Sequence, residues 1–261
     1  MSNIIEVKDV LWGRDQKIIL NNINWTIRKG EHWAILGLNG SGKTTLLNMI
    51  TGYIWPTKGQ ISVLGHRYGT VDLREMRKRI GWVSSSFQER IHPNEKTQHL
   101  VISGLHASVG LFEKPTEENI QKAAQLMETL GCAHLFDRQY QTCSQGEKQK
   151  LLIARALMAS PELLILDEAC NGLDFLSRES LLQSIVNLTK QEDAPTLLYV
   201  THHVEEILPE FTHSLLLRRG TVFGSGRTTE VLTSEQLSAL FETPVQVSWK
   251  NERAWLSLSR Y

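Results

Sequence analysis

Residues 37–45 read Gly37-Leu38-Asn39-Gly40-Ser41-Gly42-Lys43-Thr44-Thr45 and match the pattern G-x-x-x-x-G-K-[ST]. The apolar run over residues 32–36 predicts a buried parallel strand before them, and residues 44–50 predict the first turns of a helix, which Gly52 and Pro56 end. A strand that feeds a helix through a glycine-rich turn directs backbone N–H groups and the positive end of the helix dipole at one small volume. This context predicts a nucleotide-binding loop rather than an ordinary glycine-rich turn.

The residue types in this loop suit a polyphosphate. Its three glycines allow positive φ and let the backbone approach the phosphates without a Cβ in the way. Lys43 is expected between the β- and γ-phosphates as a mobile positive charge, and Thr44 offers its hydroxyl to Mg²⁺. The loop residues predicted to contact the nucleotide are Gly37, Asn39, Gly40, Ser41, Gly42, Lys43, Thr44 and Thr45.

The composition is that of a globular protein with one large α/β domain, or one domain with a smaller lobe. Of 261 residues, 41% are hydrophobic, and 28 basic and 28 acidic residues give a formal net charge of +0, so direct nucleic acid binding is not expected. No apolar run approaches the roughly 20 residues that span a bilayer. The N-terminus does not resemble a signal peptide, and 3 cysteines are too few for a disulfide framework. We therefore expect a soluble cytoplasmic protein.

The hydrophobic pattern divides the chain into segments. Residues 4–36 carry the short apolar runs of antiparallel strands, and residues 85–162 show mostly helical periodicity. We predict an α/β fold in which residues 1–84 and 163–230 form the nucleotide-binding core, with an N-terminal antiparallel β subdomain. Residues 85–162 would form an inserted helical subdomain, and residues 231–261 an accessory helix and hairpin.

Two other predicted strands end in polar residues. Residues 163–166 are apolar and lead into Asp167 and Glu168, and the strand over residues 196–201 leads into His202. In open parallel sheets ligands gather at the carboxyl ends of strands, so these side chains are expected near the phosphates. Mg²⁺, held by Asp167 through a water molecule, would compensate the cost of adjacent buried carboxylates. Glu168 would then polarise the attacking water and His202 would bind the γ-phosphate, although His202 alone could be a structural core histidine.

Ser144 is the predicted N-cap of another helix, so the chain has a second helix N-terminus that can bind phosphate. Trp12 lies just before a predicted turn, and the residues leave two alternatives for it: stacking on an adenine base or packing on its own sheet. Two phosphate-binding helix ends with a single base-stacking site would be explained by two-fold pairing. Each subunit would then lend its Ser144 end to the nucleotide of its partner.

These segments, taken in order from about residue 4 to residue 230, resemble the ATP-binding cassette (ABC) ATPases. Residues 37–45 look like the Walker A loop, residues 163–168 like Walker B with its catalytic glutamate, and residues 143–147 stand in the place of the signature Leu-Ser-Gly-Gly-Gln. Asn171-Gly172-Leu173-Asp174 resembles the D-loop. The resemblance implies a P-loop NTPase core of the RecA-like type, with ATP and Mg²⁺ as cofactors.

The same resemblance assigns roles to single residues. His202 corresponds to the switch histidine, and Trp12 to the aromatic residue that stacks on adenine. Ser144 and Gly146 correspond to the phosphate-contacting pair of the signature, and Asp174 is included in the nucleotide site through the D-loop.

Two segments depart from the family pattern. The signature keeps Ser144 and Gly146 but has Cys143, Gln145 and Glu147 where leucine, glycine and glutamine are usual. The family's Q-loop glutamine is expected at position 85, which is a serine, and Gln88 lies three positions later. Either Gln88 reaches Mg²⁺ from a remodelled loop, or Ser85 and a water molecule replace the glutamine.

The resemblance implies an ATPase that dimerises head-to-tail around two Mg-ATP molecules and drives a transmembrane transporter subunit, with import the expected direction. Such a subunit would be cytoplasmic and peripheral on the inner face of the cell membrane. The alternative is a soluble cassette ATPase that acts on a macromolecular or regulatory partner. The neutral charge argues against a large contact with nucleic acid, whereas the altered Q-loop keeps this alternative open.

Overall fold

The computed structural model describes residues 3–106, 110–111 and 114–259. Its contacts divide the chain into two compact units, residues 1–77 with 196–261 and residues 78–195. Within the described ranges, no helix combines the length and the apolar character that crossing a bilayer requires.

The elements follow one another as short strands and helices. The strands are β1 (Asn3–Arg14), β2 (Lys17–Arg28), β3 (Trp33–Leu36), β4 (Lys58–Val63), β5 (His66–Arg67), β6 (Ile80–Ser84), β7 (Leu163–Asp167), β8 (Thr196–Thr201), β9 (His213–Arg218), β10 (Thr221–Arg227), β11 (Val245–Lys250) and β12 (Arg253–Leu258). The helices are α1 (Lys43–Ile50), α2 (Leu73–Lys78), α3 (Thr97–Ile102), α4 (Glu117–Thr129), α5 (Gln145–Leu157), α6 (Phe175–Thr189), α7 (Thr228–Val231) and α8 (Ser234–Phe241).

An antiparallel sheet of order β2-β1-β4-β5 forms one part of the first unit. The turn between β1 and β2 contains Asp15 and Gln16, both with positive φ, as a tight hairpin turn requires. Apolar residues of both strands, such as Val7 and Ile27, are buried. The antiparallel strands predicted for residues 4–36 are therefore present.

A mixed set of strands, in the order β10-β9-β3-β8, forms another sheet region of the first unit, and β11 and β12 form a separate two-stranded sheet. β3 runs parallel to both β8 and β9, and β10 is antiparallel to β9. All residues of β3 and β8 are buried, which explains why both read as continuous apolar runs rather than alternating ones. Together with the helices, the mixed strands confirm the predicted α/β class.

The second unit combines a parallel strand pair with helices. β6 pairs with β7 from Ile80 opposite Leu163 to Ser84 opposite Asp167. α5 is the central helix and packs against α3, α4 and α6. All of its residues from Gln149 to Ala154 are buried, because neighbouring helices cover several of its faces.

Candidate nucleotide-binding site

The loop between β3 and α1 has the backbone that an anion site needs. Gly40 and Gly42 have φ of 79° and 105°, and Gly42 is the N-cap of α1. The first helical hydrogen bond runs from the N–H of Leu46 to the carbonyl of Gly42, at 2.9 Å. The N–H groups of the three preceding residues, 43–45, therefore have no acceptor within the helix and are directed out of its N-terminus, where phosphate can bind.

Packing also requires glycine at two positions of the loop. A Cβ on Gly37 would lie 2.4 Å from the carbonyl oxygen of Leu217 and 2.6 Å from Oγ of Ser41. A Cβ on Gly42 would lie 2.7 Å from the side chain of Leu20. The loop is therefore held tightly against β9 and β2, and its shape is determined before any ligand arrives.

Lys43 is only 6% exposed and lies across the loop. Its Nζ donates to the carbonyl oxygens of Gly37 at 2.8 Å and Leu38 at 3.3 Å. A buried ammonium group is costly without such partners. Because carbonyl oxygens now occupy positions that phosphate oxygens can take over, the side chain is prepared to bind phosphate without further desolvation.

The hydrogen bonding of the Ser41 hydroxyl indicates whether the loop fits a ligand. Ser41 is 4% exposed, and within the described part of the chain its Oγ has no hydrogen-bond partner. Buried polar atoms are nearly always paired, so an unpaired one inside a loop of this geometry indicates that a ligand or water completes it. The loop residues thus fit a polyphosphate.

His202 lies at the same edge of the sheet as the start of the loop. β3 and β8 are parallel neighbours with Leu36 opposite Thr201, so Gly37 and His202 each follow directly after a paired residue. The ring of His202 lies against that of His203, with centroids 4.1 Å apart. The structure therefore brings His202 and the loop to one edge, as predicted from the strand ends.

Glu206 anchors the segment after His202, a role that the sequence did not reveal. Its carboxylate is 3% exposed and accepts hydrogen bonds from the hydroxyls of Thr201, at 2.6 Å, and Tyr199, at 3.0 Å. Thr201 in turn accepts from the N–H of His203 at 2.9 Å. These bonds fold residues 202–206 back onto β8 and restrict where His202 can lie.

Trp12 lies on β1 opposite Leu20 of β2 and is half-buried. Leu20 is the residue whose side chain contacts Gly42 of the loop. The cross-strand neighbour of Trp12 therefore touches the phosphate-binding loop, which places the indole on the part of the β sheet that adjoins it. Stacking on adenine stays a prediction, and this position agrees with it.

Asp167 is the last residue of β7 in the second unit, and Glu168 follows it directly. The strand is buried up to Leu166, and both acidic residues are half-buried. Glu168 has φ of 51°, a left-handed conformation that is uncommon for residues other than glycine. Backbone of this kind often occurs where a side chain must be aimed at a ligand, so the observation supports the functional interpretation of Glu168.

The segment expected to hold the Q-loop begins beside Asp167. Ser84 pairs with Asp167, and residues 85–90 then form a 3₁₀ turn that contains a half-buried Gln88. The guanidinium of Arg155 lies over the ring of Phe87 at 4.1 Å and fixes this turn on α5. Burial lowers the pKa of Arg155 to about 10. The side chain of Ser85 lies outside the described residues, so the choice between Ser85 and Gln88 stays open.

The N-terminus of α5 carries a complete capping box. Oγ of Ser144 accepts from the N–H of Glu147 at 3.3 Å, and the carboxylate of Glu147 accepts from the N–H of Ser144 at 2.7 Å and contacts His134 at 3.0 Å. Burial alone would raise the pKa of Glu147, but the hydrogen bonds to Ser144 and His134 lower it. Glu147, a departure from the family signature, is therefore explained by helix capping.

Gly146 and Asp174 are linked through Ser177. A Cβ on Gly146 would lie 3.1 Å from Cβ of Ser177, so the start of α5 packs closely on the start of α6. Asp174 is the N-cap of α6 and accepts from both the N–H and the hydroxyl of Ser177, at 3.0 and 2.7 Å. The N–H of Ser177 in particular lowers the pKa of Asp174. The predicted signature and D-loop residues thus belong to one packed cluster.

The predicted site residues therefore form two groups, one in each compact unit. The first unit holds Trp12, the loop of residues 37–45 and His202, and the second holds Gln88, Ser144, Gly146, Asp167, Glu168 and Asp174. The described ranges contain no cluster of three or more His, Cys, Asp or Glu that could hold a metal by itself. Mg²⁺ in nucleotide sites is bound by few protein ligands together with phosphate and water, and the hydroxyl of Thr44 and the carboxylate of Asp167 are each oxygen ligands of the kind it takes.

Comparison with known proteins identifies close relatives. The family model described as "ABC transporter" matches residues 20–171. The "uncharacterized ABC transporter ATP-binding protein YlmA" of Bacillus subtilis is 49% identical over 255 residues, 97% of each chain. The molybdate import ATP-binding protein MolC of Haemophilus influenzae is 30% identical over 230 residues, 88% of this chain and 84% of that protein.

Solved structures show the same similarity. The dimeric structure of a bacterial ABC transporter cassette has a TM-score of 0.72 and 26% identity, and covers 85% of this chain and 98% of its own. A dimeric post-hydrolysis cassette bound to ADP and Pi has a TM-score of 0.71, with the same 26% identity and the same coverage of 85% and 98%. These matches confirm the predicted P-loop NTPase class of fold.

Proposed function

We propose that this chain, which belongs to the ABC transporter family as an ATP-binding and ATP-hydrolysing subunit, closes with a second copy of itself around two ATP molecules and thereby drives a membrane transporter. It would lie on the inner face of the cell membrane, bound to a transmembrane subunit. Import is the proposed direction, and the similarity to a molybdate import ATP-binding protein supports it.

The observation that carries this proposal is the phosphate-binding loop with Lys43 inside it. In the free chain the ammonium donates to the carbonyls of Gly37 and Leu38. On binding, phosphate oxygens would take these hydrogen bonds over, while the N–H groups of residues 43–45 donate to the same phosphates. The ammonium therefore keeps hydrogen-bond partners throughout this exchange. Binding then avoids the desolvation cost that a solvent-exposed lysine would have.

Hydrolysis requires groups that act on the γ-phosphate and on the attacking water. Bound Mg²⁺ would neutralise charge that develops on the β- and γ-phosphates. Oxygen atoms of Thr44 and Asp167 would hold the ion, and Gln88 is a further candidate ligand. Glu168 would accept a proton from the water, and His202 would donate a hydrogen bond to the γ-phosphate. Residues 202–206 are folded onto β8 through Glu206, which favours a fixed orientation of His202.

The second copy supplies the remaining helix N-terminus. α5 begins with Ser144 and Gly146, and its first N–H groups carry the positive end of the helix dipole. In a head-to-tail dimer each chain would place this end against the γ-phosphate bound by its partner's loop. The likeness to dimeric cassettes supports this arrangement.

The test uses Glu168→Gln, which removes the proton acceptor and keeps the shape of the side chain. We expect ATP binding to be retained, hydrolysis to fall by about 10²- to 10⁴-fold, and Mg-ATP to trap a dimer that size-exclusion chromatography detects. Unchanged turnover in this variant would remove Glu168 from its role.

Co-purification then identifies the partner. Protein extracted gently from its own cells, with Mg-ATP and Glu168→Gln used to hold the closed dimer, should co-purify with an integral membrane protein in a fixed ratio. Recovery with ribosomes, with nucleic acid or alone would instead support the soluble ATPase, and the serine at position 85 would then indicate lost coupling to a membrane subunit.

A further inference from the structure

The turn that joins β9 to β10 holds an arginine in an unfavourable conformation. It consists of Arg219 and Gly220, with φ of 47° and 77°. Two-residue hairpin turns with positive φ at both positions favour Asn-Gly, because most side chains at the first position disfavour the left-handed region. Contacts outside the turn are therefore expected to stabilise Arg219 in this conformation.

This turn is bonded directly to the phosphate-binding loop. The N–H of Gly220 donates to the carbonyl oxygen of Ser41 at 2.9 Å, and the carbonyl of Gly220 accepts from the N–H of Asn21 at 2.8 Å. A Cβ on Gly220 would lie 2.0 Å from the carbonyl oxygen of Ile19, so the turn fits closely between β2 and the loop. Any movement of the turn would shift the carbonyl of Ser41, which is part of the loop itself.

Glu242, at the end of α8, holds the turn from the other side. Its Oε1 accepts hydrogen bonds from the guanidinium groups of Arg218 and, at 2.7 Å, of Arg219. The hydrogen bond from Arg218, followed by the charge of Arg219, lowers the pKa of Glu242. α8 is anchored by the buried Leu237 and Leu240, so the carboxylate projects from a fixed helix.

A cavity of about 180 Å³ lies beside this ion pair, between the loop and the end of α8. Leu38, Asn39, Ser41, Arg219, Leu240 and Glu242 are among the residues that line it. The connection between α8 and the loop on this side therefore runs through the arginines and the turn.

We propose that Glu242 is a positioning residue for the phosphate-binding loop: by binding Arg218 and Arg219 it fixes the β9–β10 turn, and the turn fixes Ser41 in the conformation that binds ATP. The inference rests on the proposed nucleotide site. It assigns a function to part of residues 231–261, which the sequence alone did not interpret.

The experiment compares Glu242→Gln with Glu235→Gln, a matched change on the first turn of the same helix that lies outside the ion-pair cluster. Since exposed ion pairs contribute little, Glu242→Gln should weaken ATP binding by about two- to five-fold, measured by calorimetry. The rate at saturating ATP and the melting temperature should stay at wild-type values, whereas a purely structural role would lower the melting temperature. Glu235→Gln should leave all three unchanged.

Arg219→Gln provides a second variant on an exposed side chain. It should weaken ATP binding to a similar extent, and the double variant with Glu242→Gln should be weaker by less than the product of the two effects. ATP binding by Glu242→Gln that equals the Glu235→Gln control would overturn the inference. If Lys43→Ala bound ATP as well as wild type, the proposed site itself would be wrong, so the two failures are distinguishable.

Discussion

Ser41 has three polar groups inside the phosphate-binding loop, and its hydroxyl is the one that is not satisfied in the free chain. Its N–H donates to the carbonyl of Leu38 at 3.1 Å and its carbonyl accepts from Gly220 at 2.9 Å, whereas its buried hydroxyl has no partner within the described residues. Leaving a buried hydroxyl unpaired costs about 1–3 kcal/mol. The hydroxyl therefore destabilises the free chain by some of this amount and would be compensated when a ligand binds.

Ser41→Ala should therefore leave the free protein as stable as wild type, or up to about 1 kcal/mol more stable, while the stabilisation by ATP decreases. Thermal unfolding with and without Mg-ATP measures both effects. Ser184→Ala is the matched control, because the hydroxyl of Ser184 is also buried but donates to the carbonyl of Leu130 at 2.8 Å. The control should lose stability without ATP, and a similar loss in Ser41→Ala would contradict this account of its hydroxyl.

Among the single residues, the loop was the most predictable part of the site. A pattern with two fixed glycines, a lysine and a threonine specifies backbone and charge together, so residues 37–45 could be assigned from sequence. The partners of Lys43 in the free chain could not, because they depend on how the loop closes over its own carbonyls. The positive φ of Glu168 was equally invisible, since no residue type signals it.

The start of α5 shows how a local signal can be overlooked. Residues 144–147 fit S-x-x-E, the sequence pattern of a capping box, and this reading was available from the sequence. Against the family signature Leu-Ser-Gly-Gly-Gln, the same glutamate at position 147 is only a departure from the usual glutamine. The structure shows that Glu147 and Ser144 satisfy each other's N–H groups, so the departure stabilises the helix that would bind phosphate.

Glu147→Ala should destabilise the protein by about 0.5–2 kcal/mol, because it removes half of the capping box, and Glu147→Gln should cost less, because glutamine can still accept from Ser144. The folded chain lowers the pKa of Glu147, so its carboxylate adds stability above the unfolded pKa, and this contribution is lost as pH falls through the folded pKa. The stability difference between wild type and Glu147→Gln, measured by denaturant unfolding, should therefore shrink on acidification below the ordinary glutamate pKa. A stability difference that does not change with pH would contradict the claim that the ionised carboxylate of Glu147 stabilises the start of α5.

The C-terminal elements mark the limit of pattern-based prediction. The local sequence pattern predicts a helix near residues 234–241, and alternation with turn residues predicts a hairpin after it, because these signals are local. The bond between Glu242 and Arg219 joins residues far apart in sequence and depends on where α8 packs, so no periodicity announces it. The contact of Arg253 with the carbonyl of Glu205, just after His202, is of the same kind.

For the molecule as a whole, the chain has two helix N-termini suited to phosphate, and the proposed dimer would combine one from each of two copies. The phosphate-binding loop lies in one compact unit and Ser144 in the other, and each is a helix N-terminus suited to phosphate. Contacts with a second copy leave no mark on hydrophobic periodicity, so the dimer was inferred from this duplication and from resemblance. It can be tested by separating the two helix ends onto different chains.

Lys43→Ala removes the loop's charge and leaves the Ser144 end intact. Ser144→Asp keeps an efficient N-cap but places a negative charge where the partner's phosphate would bind. Each variant alone should be almost inactive. In an equimolar mixture, random pairing should give mixed dimers with one intact site each, so about a quarter of the wild-type number of intact sites. ATP hydrolysis should then rise well above the mean of the two variants, whereas a site completed within one chain would give only that mean.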